Sequence, residues 1–387
     1  MDLEIDAASA AFRDEVRQWL AEHVSRLPSM DTAEGFAAHR EWEACLAQAR
    51  LSVVSWPRAY HGRDASLLQW VLFEEEYYAA GAPGRVSQNG IFMLAPTLFA
   101  HGTPEQRERI LPPMARGEQI WAQAWSEPEA GSDIAALRSR AVRTDGGWLL
   151  SGQKTWSSRA TYADRAFGLF RTDPARPRHH GLTYFMIDLR AEGVRVRPIP
   201  QLDGEPGFAE IFLDEVFVPD HDVIGAVGEG WRVAMTTANN ERGLSLRSPG
   251  RFLAAADRLG ALWRERGGPE SLGERVVDAW IGARAYQLYT FGTVSRLEAG
   301  ASLGPESSVN KLFWSRLDIE LHETALDLLG AEGEFAGEWS DGYLFSLAGP
   351  IYGGTDQIQR NTIAERLLGL PRDSAPGKRV TDNVEAR

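Results

Sequence analysis

The segment IYGGTDQIQR, near the end of the chain, combines two glycines with neutral polar side chains just before a helical stretch. Gly353 and Gly354 allow the backbone to approach a ligand closely. Neutral hydrogen-bonding groups for such a ligand come from Thr355, Gln357 and Gln359. This composition is typical of a ligand cradle. Its only acidic side chain is Asp356, so the segment offers little acid–base chemistry of its own.

Two further stretches are suited to a large planar ligand. AQAWSEPEAGSD (122–133) surrounds a proline with small residues, Ser126, Gly131 and Ser132, whose backbone amides a phosphorylated ligand could approach. SGQKTWSSRATYAD (151–164) places two hydroxyls after Trp156, and an aromatic face beside donors suits a stacked heterocycle. Taken singly, the first stretch could be only a turn and the second only a core tryptophan at the end of a strand.

Composition limits the classes of function. The 387 residues carry a formal net charge of −13, which disfavours nucleic acid and anionic membranes as partners. Cys45 is the only cysteine, so no disulfide framework or thiolate metal site is expected. The N-terminal sequence lacks the pattern of a signal peptide, and no apolar run is long enough for a membrane span. We therefore expect a cytoplasmic protein without a metal site.

Hydrophobic periodicity divides the chain into helices, strands and helices again. In the first region Ala8, Phe12, Val16 and Leu20 recur every four residues. We predict a helical N-terminal domain over 1–120, a β domain over 121–225, a helical C-terminal domain over 226–372 and a flexible tail over 373–387. Thr103 followed by Pro104 marks a helix start, and Pro112 and Pro113 are expected to end that helix.

The middle region reads as an antiparallel sheet or barrel. In AVRTDGGWLLSGQKTW, Asp-Gly-Gly separates two alternating runs, which indicates a hairpin. Further strands are predicted over 182–189, 194–199 and 209–219, with a polar loop at 173–181. Because no helices alternate with these strands, the predicted fold class is α+β and not a parallel α/β sheet.

The motifs together resemble the acyl-CoA dehydrogenase family. WSEPEAGSD, GQKTWSS, LDEVFVP leading into GEGW, and YGGTDQIQRNTIAERLLG follow one another in the family's order over nearly the whole chain. The resemblance implies an N-terminal helical domain, a middle antiparallel β-barrel and a C-terminal four-helix bundle. It also implies FAD as cofactor and the conversion of an acyl-CoA thioester to a 2-enoyl-CoA, with electrons passing to an electron-transfer flavoprotein.

The resemblance also implies roles for single residues. Ser132 would lie near the phosphates or pantetheine of the acyl-CoA, and Arg242 would contact substrate. The backbone N–H of Gly353 would hydrogen-bond the thioester oxygen and stabilise the developing enolate. The FAD contacts implied are Gln123, Ser126, Gly131, Trp156, Ser158, Thr355 and Gln357.

The catalytic base is where the sequence departs from most of the family. Most members have a glutamate at the position of Gly353, and that carboxylate is missing here. In the isovaleryl-CoA branch the base is instead a Glu directly before an Arg in a C-terminal helix, a pattern that Glu241 and Arg242 match. We therefore predict Glu241 as the base in preference to Asp356. The alternative is that this common Glu-Arg pair is an ordinary helix surface.

A second departure concerns subunit assembly. The family's Arg-x-x-Phe-Gly segment is replaced by LWRERGGPES, where Arg264 or Arg266 could substitute, and Asp327 stands where a Gln is expected. These differences resemble a bacterial branch in which two different subunits pair. We expect a homo- or hetero-oligomer, a dimer or tetramer. Two alternatives to the dehydrogenase remain: a non-catalytic or half-site subunit, and a flavin oxidase or monooxygenase on the same fold.

Overall fold

The computed structural model describes residues 5–241, 249–301 and 304–372, arranged as helices, then a sheet, then helices. The N-terminal helices are α1 (Ala7–His23), α2 (Ala33–Gln48), α3 (Leu67–Ala79), α4 (Ala95–His101) and α5 (Pro104–Ala115). The C-terminal helices are α6 (Gly230–Glu241), α7 (Pro249–Glu265), α8 (Glu270–Glu298), α9 (Ser307–Leu329), α10 (Glu338–Ser346) and α11 (Asp356–Thr362). The predicted tail lies outside the described residues.

The predicted helical periodicity of α1 is present. Phe12, Val16 and Leu20 are buried on one face of the helix, while Ala8 at its first turn is exposed. The helix packs against α3, and Ser9 in its first turn is buried as well.

The predicted end of α5 at its prolines is wrong. Thr103 and Gln106 form the expected capping box, but Pro112 and Pro113 lie inside the helix, which continues to Ala115. The proline φ is compatible with a helix, and the carbonyl of Pro112 still accepts a hydrogen bond from the N–H of Arg116. Burial of Leu111 and Met114 outweighs the two missing donors.

The middle region forms one eight-stranded sheet. Its strands are β1 (Trp121–Ala124), β2 (Arg140–Thr144), β3 (Gly147–Ser158), β4 (Arg165–Arg171), β5 (Leu182–Asp188), β6 (Val194–Ile199), β7 (Phe208–Pro219) and β8 (Val223–Ile224). The order is β6-β7-β3-β2-β4-β5-β8, with β1 beside β4. Most pairs are antiparallel, but β1 and β2 each pair with β4 in parallel. Contacts between β5 and β7 curl the sheet into the expected barrel-like form.

The described residues contain three large apolar cores. One lies between the N-terminal helices and the sheet, and it includes Val233 and Ala234 of α6. A second fills the inside of the curled sheet. The third lies between α7, α8 and α9. In the part of the chain that the structure describes, no helix combines the length and apolar character needed to cross a membrane.

Candidate active site

Trp156 occupies an irregular part of β3. The pairing of β3 with β7 shifts register between Lys154 and Ser157. Trp156, within this bulge, has a φ of 58° and its side chain is 60% exposed. A left-handed backbone costs a non-glycine residue on the order of 1–3 kcal/mol and is found mainly where function requires it. An indole held in this way, with the ring of Phe208 at its edge 5.9 Å away, offers an aromatic surface to a ligand.

The loop after β1 lies directly against this bulge. The backbone N–H of Thr155 donates to the carbonyl oxygen of Ser126 at 2.9 Å. Gln123, on β1, is partly buried, whereas Gly131 and Ser132 are exposed in the loop. A Cβ added to Gly131 would meet nothing within 4 Å. The structure therefore brings the two predicted middle-domain stretches together and leaves open space over the loop.

A buried ion pair fixes the loop on the sheet. Lys154 is fully enclosed, and its Nζ donates to Glu127 Oε1 at 2.8 Å. Glu127 also accepts from the backbone amides of Arg138 and Ser139. Burial alone would raise the pKa of Glu127, but Lys154 and these amides hold that pKa below its ordinary value. The carboxylate thus stays charged and clamps both ends of the loop.

Sequence reasoning missed this pair. The signal available was a lysine inside a predicted strand, within the GQKTWSS motif. A buried lysine requires a partner, but its identity depends on how the loop folds back onto β3.

The backbone of Gly353 and Gly354, in the IYGGTDQIQR cradle, is held by the side chain of Gln359. Gly353 and Gly354 have φ values of 64° and 86°, which favour glycine. Gln359 is fully buried, and its Nε2 donates to the carbonyl oxygens of both glycines at 3.0 and 3.1 Å. The expectation that Gln359 faces a ligand is therefore wrong. Among the described residues the N–H of Gly353 has no hydrogen-bond partner, so it is available to an acceptor.

The helix that follows the cradle begins at Asp356. Thr355 is its N-cap, and its hydroxyl oxygen accepts from the N–H of Ile358 at 3.3 Å. Asp356 Oδ1 accepts from Nζ of Lys311 at 3.0 Å, and the Lys311 side chain is 3% exposed. Gln357 is exposed. Asp356 is thereby bound to a buried cation on α9.

The predicted base lies at the end of α6, which runs from Gly230 to Glu241. Of Glu241 the structure describes the backbone position, and Arg242 lies outside the described residues. The roles assigned to both remain predictions.

Two of the three charged positions named in the assembly prediction form ion pairs within this chain. Asp327 forms an ion pair with Arg275, which joins α9 to α8. Arg266 pairs with Glu332. The guanidinium of Arg275 reduces the repulsion that Asp327 would exert on a nearby phosphate group.

The middle-domain surface fits a flavin. Trp156 supplies an exposed ring, Gly131 leaves room, and Ser158 is partly buried beside them. The hydroxyl of Ser157 is buried, with no partner among the described residues. Buried polar atoms are normally hydrogen-bonded, and a cofactor with polar edges supplies such a partner.

Comparison with known proteins identifies the family. The chain matches three family profiles: "Acyl-CoA dehydrogenase, N-terminal domain" over residues 6–118, "middle domain" over 122–216 and "C-terminal domain" over 228–368. Among curated proteins it is 39% identical to acyl-CoA dehydrogenase IpdE1 of Mycolicibacterium smegmatis, over 94% of this chain and 98% of that one.

Solved structures agree. One described as "Tcur3481-Tcur3483 steroid ACAD" has a TM-score of 0.87 at 26% identity, covering 96% of this chain and all of that one. A chain of the ChsE4–ChsE5 complex from Mycobacterium tuberculosis has a TM-score of 0.82 at 26% identity, with coverage of 96% and 100%.

The chain belongs to the acyl-CoA dehydrogenase family, whose members are FAD flavoproteins. It is an FAD-dependent oxidoreductase, and the family, fold class and cofactor predicted from the sequence are confirmed. The individual site residues remain predictions.

Proposed function

We propose that this protein oxidises an acyl-CoA thioester to the 2-enoyl-CoA, uses Glu241 as base and passes electrons to an electron-transfer flavoprotein. A base removes the proton from Cα, and the hydride equivalent leaves Cβ. When bound, FAD supplies the acceptor for that hydride. The residues of this chain supply the proton acceptor, hydrogen bonds to the thioester and the ligand-facing surfaces.

The observation that carries the choice of base is the ion pair between Lys311 and Asp356. Asp356 is the only carboxylate of the IYGGTDQIQR cradle, and its Oδ1 lies 3.0 Å from a buried ammonium group. This ion pair occupies Oδ1 of Asp356 within the protein and holds the carboxylate against α9. Glu241, at the end of α6, is the remaining candidate that the family pattern supports.

Three further residues have proposed roles at the substrate or the cofactor. The N–H of Gly353 would donate to the thioester oxygen, where negative charge develops as the Cα proton leaves. Gln359 supports this role by holding the carbonyl groups of Gly353 and Gly354 from the opposite side. The exposed indole of Trp156 would pack against the isoalloxazine.

We infer a bulky, polycyclic acyl group as substrate. The solved structure with a TM-score of 0.87 is described as a steroid acyl-CoA dehydrogenase. Glycine at position 353 places no side chain where most of the family carries glutamate, and this supports a wider acyl site. A steroid-derived acyl-CoA is the class that we propose.

Pairing with another subunit is the second candidate function, with this chain as a half-site partner in the cytoplasm. Two observations favour it: the structures Tcur3481-Tcur3483 and ChsE4–ChsE5 are each described with two components, and Arg266 is held by Glu332. The test is to purify this protein alone and after co-expression with a homologue. It distinguishes a half-site subunit from a protein that binds FAD without a partner. Colourless lone protein that becomes yellow on co-expression supports the half-site subunit, whereas full flavin content in the lone protein contradicts it.

The direct test of the base is Glu241→Gln, with Asp356→Asn as the comparison. We expect Glu241→Gln to yield folded, yellow protein in which steroid-derived acyl-CoA no longer bleaches the flavin. We expect a loss of at least roughly 100-fold, the lower end of general-base contributions. Asp356→Asn should retain measurable bleaching, since it removes a positioning charge and not the base.

A Glu241→Gln variant that reduces its flavin at the wild-type rate would contradict the assignment of the base. Rapid reoxidation of the reduced protein by oxygen would point to an oxidase or monooxygenase. A panel of short, branched and polycyclic acyl-CoA thioesters in the same assay tests the substrate class.

A further inference from the structure

Five residues form one chain of hydrogen bonds beneath the loop that carries Ser126. The indole Nε1 of Trp125 donates to the phenol oxygen of Tyr184 at 3.1 Å. That oxygen lies 3.1 Å from Oγ1 of Thr237. Thr237 Oγ1 lies 2.8 Å from Oγ1 of Thr97, which in turn donates to the carbonyl oxygen of Met93 at 2.8 Å.

Along this chain of hydrogen bonds, each group can donate to the next one, from Trp125 to the carbonyl of Met93. An indole only donates, so Tyr184 accepts from Trp125 and can pass its own proton towards Thr237. When Thr97 donates to the Met93 carbonyl, Thr237 donates to Thr97 at 2.8 Å and not to the carbonyl of Val233, which lies 3.3 Å from the same Oγ1. Tyr184, Thr97 and Thr237 each have 0% exposure. A buried hydroxyl that loses its partner carries the full penalty of desolvation.

The chain of hydrogen bonds connects all three domains of the protein. Met93 belongs to a π-helical turn, Gly90–Leu94, that runs into α4, where Thr97 lies. Trp125 directly precedes Ser126, and Tyr184 belongs to β5. Thr237 belongs to α6, one helical turn before Glu241.

Apolar packing alone would leave the register of α6 weakly defined. Val233 and Ala234 are fully buried in the core between the N-terminal helices and the sheet. Apolar contacts are non-directional, whereas hydrogen bonds weaken steeply when distance or angle changes. The hydroxyl of Thr237 therefore fixes the helix along and about its axis relative to Tyr184 and the loop of Ser126. Thr236 Oγ1 adds a second directional contact, 2.8 Å from Nε2 of His101 on α4.

We propose that Tyr184 and Thr237 are positioning residues that set the last turn of α6, and hence Glu241, against the loop carrying Ser126. This inference rests on the proposed role of Glu241 as base. Neither residue needs to touch substrate. Their effect is to hold the proton acceptor at the distance from substrate Cα that general-base catalysis requires.

The test uses Tyr184→Phe and Thr237→Val in the full-length protein, since each change removes hydrogen bonding with little change in volume. We expect both variants to retain FAD and to change KM for acyl-CoA by less than about twofold. Flavin reduction should slow by roughly 10- to 100-fold, the range that a displacement of about 1 Å produces. The double variant should be no slower than the slower single variant, because both act through one chain.

A second measurement does not depend on activity. Amide hydrogen exchange of residues 230–241 should become faster in both variants, in the protein without substrate. The pH dependence of flavin reduction should also shift, because moving a base changes the electrostatic environment in which it accepts a proton. Loss of a residue that supports only overall stability would not speed exchange selectively in α6. It would also leave the pH profile of flavin reduction unchanged.

Tyr77→Phe is the matched control. Tyr77 accepts from the indole of Trp42 at 2.6 Å and donates to the carbonyl of Pro83 at 2.6 Å, so it repeats the tryptophan–tyrosine bond inside the N-terminal domain. We expect this variant to lower the melting temperature while leaving exchange in 230–241 and the pH profile unchanged.

The outcomes separate the two proposals. Wild-type reduction rates in Tyr184→Phe and Thr237→Val, or unchanged exchange in α6, would overturn the positioning role even if Glu241→Gln abolishes reduction. Normal reduction by Glu241→Gln would instead overturn the base. In that case faster exchange of α6 in Tyr184→Phe and Thr237→Val would still show that these hydrogen bonds hold the helix. The link to catalysis would be lost.

Discussion

Lys154 shows how a single residue can support a surface, here the one around Trp156, that it does not itself form. It lies two residues before Trp156, and its ammonium group also contacts the carbonyl of Leu169 and lies 4.6 Å from the ring centre of Phe170. Burial lowers the pKa of Lys154, and the neighbouring Glu127 opposes that effect. The 2.8 Å contact between Lys154 and Glu127 ties the loop of Ser126 to β3 inside the sheet.

We expect Lys154→Met to destabilise the protein by about 3–5 kcal/mol, because Glu127 would then be a buried charge without its cation. FAD content after purification should fall as the loop loosens. Chemical denaturation and the visible absorption spectrum measure the two effects.

The double variant Lys154→Met with Glu127→Gln should recover part of the lost stability, since no unpaired charge remains. As a control, Arg58→Met breaks the exposed pair with Asp64 and should change stability little. A Lys154→Met protein as stable and as yellow as wild type would contradict this account.

For single residues, the sequence indicated which side chains belong to the candidate site better than it indicated where those side chains point. Trp156 is exposed beside hydroxyl-bearing residues, as its ligand-facing prediction requires. Gln359 is buried and donates to two backbone carbonyl groups, because the left-handed turn at Gly353 and Gly354 directs those groups at it. That turn depends on φ angles, which the letters Gly-Gly permit but do not specify.

At the scale of elements, α3 contains a carboxylate in an unfavourable environment. Glu74 is buried, and burial raises its pKa from 4.5 to about 7, although Arg85 and a hydrogen bond from Trp70 oppose the rise. Between these two pH values the folded chain holds a proton that the unfolded chain has lost. The contribution of Glu74 to stability is therefore greatest below pH 4.5 and declines as the pH rises to about 7.

We expect Glu74→Gln to flatten the decline in stability between pH 4.5 and about 7 and to be more stable than wild type above it. The difference between the two pKa values corresponds to on the order of 3 kcal/mol. Melting temperatures across this range measure it. Glu41→Gln, at an exposed position of α2, is the control, and identical pH profiles for Glu74→Gln and wild type would refute the assignment.

Elements with strong local signals were predictable, and those decided by packing were not. The hairpin of β2 and β3 turns at Asp145 and Gly146, where the sequence predicts it, and β6 spans 194–199 as predicted. The continuation of α5 through Pro113 depends on burial of its last turn. The parallel pairing of β1 with β4 depends on contacts distant in sequence.

The whole molecule exposes an apolar stripe on α8. Val277, Trp280, Ile281 and Leu288 recur on one face of the helix and are 43–55% exposed. Phe313 of α9 is 41% exposed, with its ring 6.1 Å from that of Tyr286. Contiguous apolar surface of this kind marks protein interfaces, and it agrees with the proposed assembly into dimers or tetramers.

We expect Val277→Lys to shift the protein to a smaller assembly, because a charge on this stripe would be buried without a partner at the interface. Size-exclusion chromatography with light scattering measures the change. Val142→Lys, at a 54% exposed position of β2, is the matched control and should leave the assembly unchanged. Equal masses for Val277→Lys and wild type would exclude this face as the interface.

The hydrogen-bond chain from Trp125 to Met93 has a consequence for how this architecture can diversify. Thr97, Tyr184 and Thr237 come from three different domains, and each hydroxyl is enclosed. A chimera that takes one domain from a relative lacking the matching hydroxyl would bury an unsatisfied polar atom at the junction. Exchange of a domain between relatives therefore requires all three hydroxyl-bearing residues to be present together. A designed hybrid should keep them as a group.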